Sequence, residues 1–378
     1  MLVQISVLLL LAIAFFSQRA TLGEWLSAIA IGAIGFIAWR TAAEGWLFWI
    51  ALFVICGKGI KLKPLACITF ATLFVVIVFS SCASSVGLIE NKIVFRGDTG
   101  VMRNPLGFDH PNFLGAALLV ACISLVPLVK GRRIVFLSVL CVFAAGISML
   151  AADSRTSALC LGALAMMIPI YAVVKHASRG REASIILLLV LAVMVLVSFG
   201  YMAFYDQARP LDAMLNSAFS GRLQLAHTYY LDHAPGLFGY GYEDGTVFYA
   251  DGEEYTFVVD NLFAHVLLRY GVIACALFLF GLFALFRKMH KEAYFGPVLL
   301  GMGLFLTYGM SETLGCRVEC NFFIISLWTV LYHRPLSEFS DDADAATSVS
   351  AIPSSLEGEL TFRELLVLPL NVVRSRRG

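Results

Sequence analysis

The chain is 378 residues long, 60% of them hydrophobic and 14% charged, with a formal net charge of +1 and a mean hydropathy of +0.84. These values exclude an ordinary soluble domain and a disordered chain, and they describe a polytopic membrane protein. A net charge so close to zero carries no electrostatic footprint for nucleic acid, and the sequence holds no nucleic-acid motif, so no such partner is expected.

The opening run, "MLVQISVLLLLAIAFF", lacks a basic leader and a small-x-small cleavage site, so it reads as a retained first span. A span needs roughly 20 apolar residues. Runs of this kind fall near 3–17, 24–39, 45–57, 64–83, 112–129, 134–152, 155–174, 183–204, 261–286, 294–313 and 320–333. The first three are short, so the expectation is about 11 spans, within a range of 10–12. Runs of this length satisfy their backbone in lipid as helices, which makes the fold class an all-α membrane bundle. Residues 1–336 form the transmembrane domain and 337–378 a tail. Of the tail, 337–360 has the composition of a disordered segment, and 362–377 reads as an interfacial segment pinned by Arg374, Arg376 and Arg377.

Basic connections set the orientation. Lys58, Lys61 and Lys63, then Lys130, Arg132 and Arg133, then Lys175, Arg179 and Arg181, then Arg287, Lys288 and Lys291 recur on alternate loops. These loops and the C-terminus are expected in the cytoplasm, and 84–111, 153–154, 205–260 and 314–319 outside. The nine cysteines are mostly single residues within apolar runs, as small hydrophobes are. Cys316 and Cys320 are close enough in sequence for a disulfide, and no ligand-spaced Cys/His pair points to a metal.

Polar residues gather at the outer ends of the spans. Arg103, Asp109, His110 and Asn112 precede the fifth, Asp153 and Arg155 separate the sixth from the seventh, Asp260, Asn261 and His265 open the ninth, and Glu312 closes the tenth. Charge at membrane depth is costly, so its retention points to function. Four such ends suggest one pocket open to the outside. The largest outer loop, 205–260, adds Arg222, His227, His233 and many tyrosines and acids. Aromatic faces pack on sugar C–H faces and carboxylates accept from hydroxyls, a composition suited to a glycan.

Plain structural readings stand beside these. His110 before Pro111 is a helix-start turn, and Asn112 or Asn261 a cap. Asp153 with Arg155 is a turn pair, Arg103 a snorkelling cation, and Glu312 with Arg317 a rim ion pair.

Several motifs together resemble the O-antigen polymerase and ligase superfamily. "GFDHPNFLG" is similar to its HPN-x-LG signature, and "DSRTSALCLGAL" to its S-R start of a later span. "SGRLQLAHTYYLDHAPGLFGYGYE" looks like its outer-loop pattern of an arginine, a helix and a P-x-x-G-x-G turn, and "DNLFAHVLLRYG" like its segment re-entering the membrane. The resemblance covers about residues 80–333. It implies a helical bundle of the GT-C type and a metal-independent glycosyltransferase without cofactor. A sugar chain on polyprenyl diphosphate at the outer leaflet would be polymerised for surface polysaccharide. It also implies partners: the lipid-linked oligosaccharide, membrane lipid, and chain-length-regulator and flippase proteins at a bacterial cytoplasmic membrane. Arg222, Asp260, His110, His265 and His227 then become catalytic candidates, and Arg103, Arg155, Asn112, Asn261 and Glu312 binders of diphosphate or sugar. The ligases place a histidine where this chain has Asp260, which favours the polymerase branch and leaves the base open among Asp260, His227 and His265. The rivals are an O-antigen-type ligase, a transporter of lipid-linked sugars, a binding component of an export complex, and a metal-dependent transferase, for which the 40–44 loop offers only Glu44. A transporter should show polar residues or broken helices near the midplane, whereas the fifth, sixth, eighth and ninth spans read as apolar through their middles.

Overall fold

The computed structural model describes residues 2–95, 100–129, 133–174, 180–219, 221–241, 246–248, 254–256, 259–340 and 360–361. Helix α1 (Leu2–Ser17) leads through strand β1 (Arg19–Ala20) into α2 (Leu22–Ala42). A capping box starts α2: Thr21 Oγ1 accepts from the Glu24 N–H, and the Glu24 carboxylate accepts from the Thr21 N–H. Helices α3 (Trp46–Cys56) and α4 (Leu62–Ser85) follow, then the short pair β2 (Val94–Phe95) and β3 (Met102–Arg103). Next come α5 (Pro111–Ser124), α6 (Arg133–Leu150), α7 (Arg155–Val174) and α8 (Gly180–Phe204). The large loop holds α9 (Pro210–Ala218), α10 (Arg222–Asp232) and a hairpin of β4 (Thr246–Phe248) with β5 (Glu254–Thr256). Helices α11 (Leu262–Lys291) and α12 (Pro297–Tyr308) return to the bundle. Two 3-10 turns, Thr313–Cys316 and Phe322–Ser326, lead to α13 (Leu327–Leu331), α14 (Leu336–Ser340) and β6 (Leu360–Thr361).

Among the described residues, six helices are long and apolar enough to cross a membrane: α2, α4, α6, α7, α8 and α11. Five shorter apolar helices accompany them at Gln4–Ser17, Trp46–Cys56, Pro111–Ser124, Pro297–Tyr308 and Phe322–Leu331. Helical structure thus falls on each of the eleven apolar runs, and the chain has the build of an all-α membrane protein. The core gathers around α5, α11, α12 and the last 3-10 turns, where Leu119, Ile123, Tyr270, Leu282, Phe305, Phe323 and Trp328 are buried. Helices α4, α6 and α8 turn large apolar side chains outward, as helices flanked by lipid do.

The two ends of the bundle differ in chemistry. At one end Lys58 donates to the Arg19 carbonyl and lies 5.1 Å from the Tyr332 ring centroid. There too His290 Nδ1 meets the Arg181 carbonyl at 3.2 Å, and the Leu336 N–H donates to Glu292 at 2.8 Å. The residues of three basic connections meet at this end; Lys130, Arg132, Lys175 and Arg179 lie outside the described residues. The other end carries the polar side chains described below.

Three expectations change. The tail assigned as disordered from residue 337 begins with helix α14, whose Leu336 and Phe339 are buried. Its far end, β6, pairs antiparallel with β1, and the Trp25 indole donates to the Leu360 carbonyl at 2.9 Å. Residues 341–359 and the interfacial segment at 362–377 lie outside the described residues. Cys316 and Cys320 are free thiols, Cys316 fully buried in the core.

The third change concerns the ninth span, which is apolar through its middle but not a continuous helix. Helix α11 departs from helical geometry at Gly271, φ 85°. The loop segment 235–239 docks there, and the Val272 and Ile273 N–H groups donate to the Gly236 and Leu237 carbonyls at 2.9 and 3.1 Å. Both glycines at the crossing are obligatory. A Cβ on Gly239 would lie 2.0 Å from the Arg269 carbonyl oxygen, and one on Gly271 2.3 Å from the Gly239 nitrogen. Thr41 at the end of α2 closes the crossing by donating to the Phe238 carbonyl at 2.5 Å. The turn at Pro235–Gly241 and the glycine of the re-entering segment are therefore two halves of one joint.

Candidate functional site

At the polar end, a cavity of about 940 Å³ is lined by residues at the start of α5 and the end of α12.

Pro111 opens α5 at its first turn, and His110 caps it, its Nδ1 accepting from the Asn112 N–H at 3.2 Å. Gly115 lets α5 lie against the turn before α7, since a Cβ there would sit 2.6 Å from Ser154 Oγ. That turn is held by Ser154 Oγ on Ser157 and by Ser157 on the buried Tyr308 hydroxyl, at 3.0 and 3.2 Å. Arg103 reaches the same turn from β3, its Nε donating to the Ala152 carbonyl at 2.9 Å.

From there a continuous polar chain crosses the cavity. Arg103 Nη2 donates to Asn112 Oδ1 at 2.5 Å, and Asn112 Nδ2 donates to Glu312 Oε1 at 3.0 Å. Glu312 Oε1 also accepts from Arg222 Nη2 at 3.0 Å, and Arg222 Nε donates to Asp260 Oδ2 at 2.9 Å. Arg222 is the first residue of α10, set there by Gly221 at φ 82°. Asp260 precedes the cap of α11, and Glu312 precedes the first 3-10 turn. Five residues from five separate pieces of chain thus bond in one line. Arg155 lines the same cavity with half its side chain exposed, and its Nε approaches Asp153 at 3.4 Å.

The electrostatics follow from this packing. Burial disfavours charge on Arg222, but Asp260 and Glu312 more than offset it, so its pKa lies above the ordinary arginine value and its charge is fixed. His110 is pushed the other way: desolvation by the cavity walls, then Arg103, lower its pKa despite Asp260 and Asp109. A neutral imidazole whose Nδ1 accepts carries its proton on Nε2. His110 is therefore a hydrogen-bond donor in this cavity.

Seven of the ten site residues read from the sequence line this cavity: Arg103, His110, Asn112, Arg155, Arg222, Asp260 and Glu312. Three do not. Asn261 is buried as the cap of α11, accepting from the Phe263 and Ala264 N–H groups at 3.0 Å and donating to Ser198 at 2.9 Å. Its plain reading as a cap accounts for the bonds its oxygen accepts, while its amide also donates to the Met310 carbonyl at 3.2 Å. His227 bonds through Nδ1 to the Met202 carbonyl at 2.8 Å and packs on Tyr205. His265 belongs to a second, closed cluster. Its Nε2 lies 2.9 Å from Glu44 Oε2, which also accepts from the Tyr270 hydroxyl at 2.9 Å and meets Arg269 Nε at 3.2 Å.

The rim pair expected of Glu312 and Arg317 is replaced by other partners: Glu312 takes Arg222, and the Arg317 guanidinium stacks 4.0 Å from the Trp46 ring centroid. The tyrosines proposed for sugar contact also divide. Tyr229 is buried against Met202 and Leu268, and Tyr240 closes its own turn on the Ala234 carbonyl. Tyr242 lies outside the described residues.

The sequence reading missed Ser154, Thr156, Ser217, Thr307 and Ser311, which also line the cavity. Small hydroxyl residues carry no pattern that separates them from helix packing. Among the described residues, no three His, Cys, Asp or Glu side chains group as metal ligands. Comparison with protein families, with curated proteins and with solved structures gives no match for this chain.

Proposed function

We propose that the chain is a membrane glycosyltransferase, an 11-helix protein of the GT-C type. It joins oligosaccharide repeat units carried on polyprenyl diphosphate at the outer face of a bacterial cytoplasmic membrane. The observation that carries the reading is the line Arg103–Asn112–Glu312–Arg222–Asp260 across one cavity. The motifs that carry the family resemblance supply three of these five residues, Asn112, Arg222 and Asp260; Arg103 and Glu312 lie outside them. The basic end of the bundle faces the cytoplasm, which puts the cavity outside.

The chemistry follows from the residue types. Transfer breaks the bond between the sugar's anomeric carbon and the diphosphate oxygen and forms one to an acceptor hydroxyl oxygen. Charge then develops on the leaving diphosphate, and guanidinium forks match phosphate oxygens without giving up a proton. Arg103 and Arg155 are placed for this, and Arg222 fixes the carboxylates. Asp260 engages Arg222 through one oxygen and keeps 26% of its side chain exposed, which suits it to take the acceptor's proton. His110, protonated on Nε2, donates to a phosphate or sugar oxygen and does not serve as base. His227 and His265 have no route to this cavity among their described bonds and support structure.

One observation favours a second reading. The break in α11 at Gly271 is a feature of transporters of lipid-linked sugars. Here, however, the docked loop satisfies the freed N–H groups, which leaves no helix end turned toward a substrate.

The test is product length in vitro. Purified protein and its Arg222→Ala variant are given the cognate undecaprenyl-diphosphate-linked repeat unit, and products are resolved on a gel. The expected result is a ladder with the native chain and a single unit with the variant. No ladder with verified substrate, together with movement of a labelled lipid-linked sugar across proteoliposomes, overturns the transferase in favour of transport.

A further inference from the structure

The polar cavity is balanced in charge. Among the described residues that line it, Arg103, Arg155 and Arg222 stand against Asp153, Asp260 and Glu312, and the neutral His110 adds nothing to either side. A diphosphate diester is a dianion at neutral pH, so its arrival would turn a balanced cavity strongly negative. Like charges held together disfavour one another, and a proton on one carboxylate relieves them. The structure singles out which carboxylate. Asp153 pairs with Arg155 at 3.4 Å, whereas Asp260 and Glu312 share the Arg222 guanidinium, at 2.9 and 3.0 Å. Of the two that share, Glu312 has the more buried side chain, 11% exposed against 26%. It lies in the turn beyond the end of α12. The groups whose charge or dipole reaches it are Arg222 of α10, Asp260 ahead of α11, Arg103 of β3 and the Tyr308 hydroxyl of α12, and Asn112 of α5 donates to it. Burial pushes the Glu312 carboxyl up to about 7, with Asp260 adding to the rise and Arg222 and Arg103 opposing it.

We propose that binding of a diphosphate diester in this cavity is coupled to uptake of one proton by Glu312, which becomes neutral and yields the Nη2 end of Arg222 to the ligand. The inference rests on the diphosphate donor of the proposed transferase. The proton comes from solvent and adds to a carboxylate oxygen, and no bond of the diester breaks in this step. Arg222 keeps its Nε on Asp260, and Asn112 Nδ2 keeps the carbonyl oxygen of the neutral Glu312. Glu312 is thus a positioning residue. It holds the arginine in place while the cavity is empty of anion and releases it when an anion arrives. The sign of the pH dependence follows. The ligand-bound form holds the extra proton, so binding weakens as pH rises above the value at which the empty site loses it.

Titration calorimetry of the detergent-solubilised full chain tests the coupling. The probe is farnesyl methyl diphosphate, which is esterified on both phosphates and has no titrating group of its own near neutral pH. Binding heats at about pH 8, measured in buffers of different ionisation enthalpy, give the number of protons exchanged. The expected result is uptake close to one proton per bound probe, with Kd rising about tenfold for each pH unit above that. Glu312→Gln keeps an acceptor for Asn112 and should bind the probe without proton uptake and with a flat pH dependence. His110→Gln should leave the uptake in place. Asp260→Asn gives an independent check, because removing the neighbouring charge should move half-uptake to lower pH by about one unit. Binding without uptake in the native chain overturns the proposal, as does uptake that survives Glu312→Gln, disappears in His110→Gln or keeps its midpoint in Asp260→Asn. A native chain that does not bind the diester at all overturns the diphosphate site itself, and this coupling with it.

Discussion

Two polar clusters in this molecule are built from the same residue types, and they are finished in opposite ways. Around Glu44, one carboxylate oxygen gathers His265, Arg269 and Tyr270, and all four side chains are turned inward and buried or nearly so. Around Glu312, the carboxylate oxygen also takes several donors, but the line ends in the partly exposed Asp260 and lies beside the half-exposed Arg155. The first cluster spends its charges on itself and fastens the α2–α3 turn to α11. The second leaves charge facing a cavity. Residue identity alone does not separate a fastener from a site; exposure of the last member does.

The largest effect should come from the fastener. Glu44→Ala leaves Arg269 buried beside two donors without their acceptor, a loss on the order of 3–5 kcal/mol. Thermal denaturation in nanodiscs should show a large drop in midpoint, and a midpoint near the native value would break the contrast with the open cluster. Next comes Arg222→Lys. It keeps a positive charge but loses the fork joining Asp260 to Glu312, so polymer formation should fall by about 100-fold, roughly 2.7 kcal/mol, with little change in midpoint. Initial rates on the lipid-linked substrate check this, and a variant that loses stability without losing rate would reverse the two roles.

Gly239→Ala should cost about 1–3 kcal/mol, because its φ of 74° and the 2.0 Å approach to the Arg269 carbonyl both exclude a side chain. Faster proteolysis of the 205–260 loop is the measurement, and unchanged protection would show that the joint at Gly271 does not hold the loop. A smaller effect is expected from pH. The His110 pKa is lowered in the folded chain, so folding favours the neutral ring. Its contribution is complete above the ordinary histidine value of about 6.5 and is lost as pH falls from there through the lowered folded value. Midpoints compared across that window should converge for the native chain and His110→Gln as pH falls. The smallest effect belongs to Lys92 and Asp109, paired at 2.5 Å on the open surface beside the cavity. Lys92→Ala should leave both midpoint and rate within error, since exposed pairs contribute little.

Much of this was readable in the residues. The apolar runs placed the helices because length and hydrophobicity are one-dimensional properties, and every run carries helical structure. The convergence of Arg103, Asn112, Asp260 and Glu312 was inferable from sidedness, because outer ends of neighbouring spans share a thin layer. What could not be read was pairing. Nothing local to Glu44 indicates Tyr270, which is 226 residues away, or turns His265 toward Glu44 and away from the cavity. The break in α11 was hidden for a related reason. Gly271 within "RYGVIAC" passes as a tolerated helical glycine until the chain that docks on it is known.

That joint also orders the protein's assembly. The acceptors for the Val272 and Ile273 N–H groups are supplied by residues 236 and 237, at the opposite end of the bundle from the basic connections. Until that segment docks, these two groups lack the acceptors that the break in the helix denies them. The helix from Leu262 onward therefore settles only once the chain before it is in place, and docking of residues 235–239 becomes the step that licenses the helix behind it.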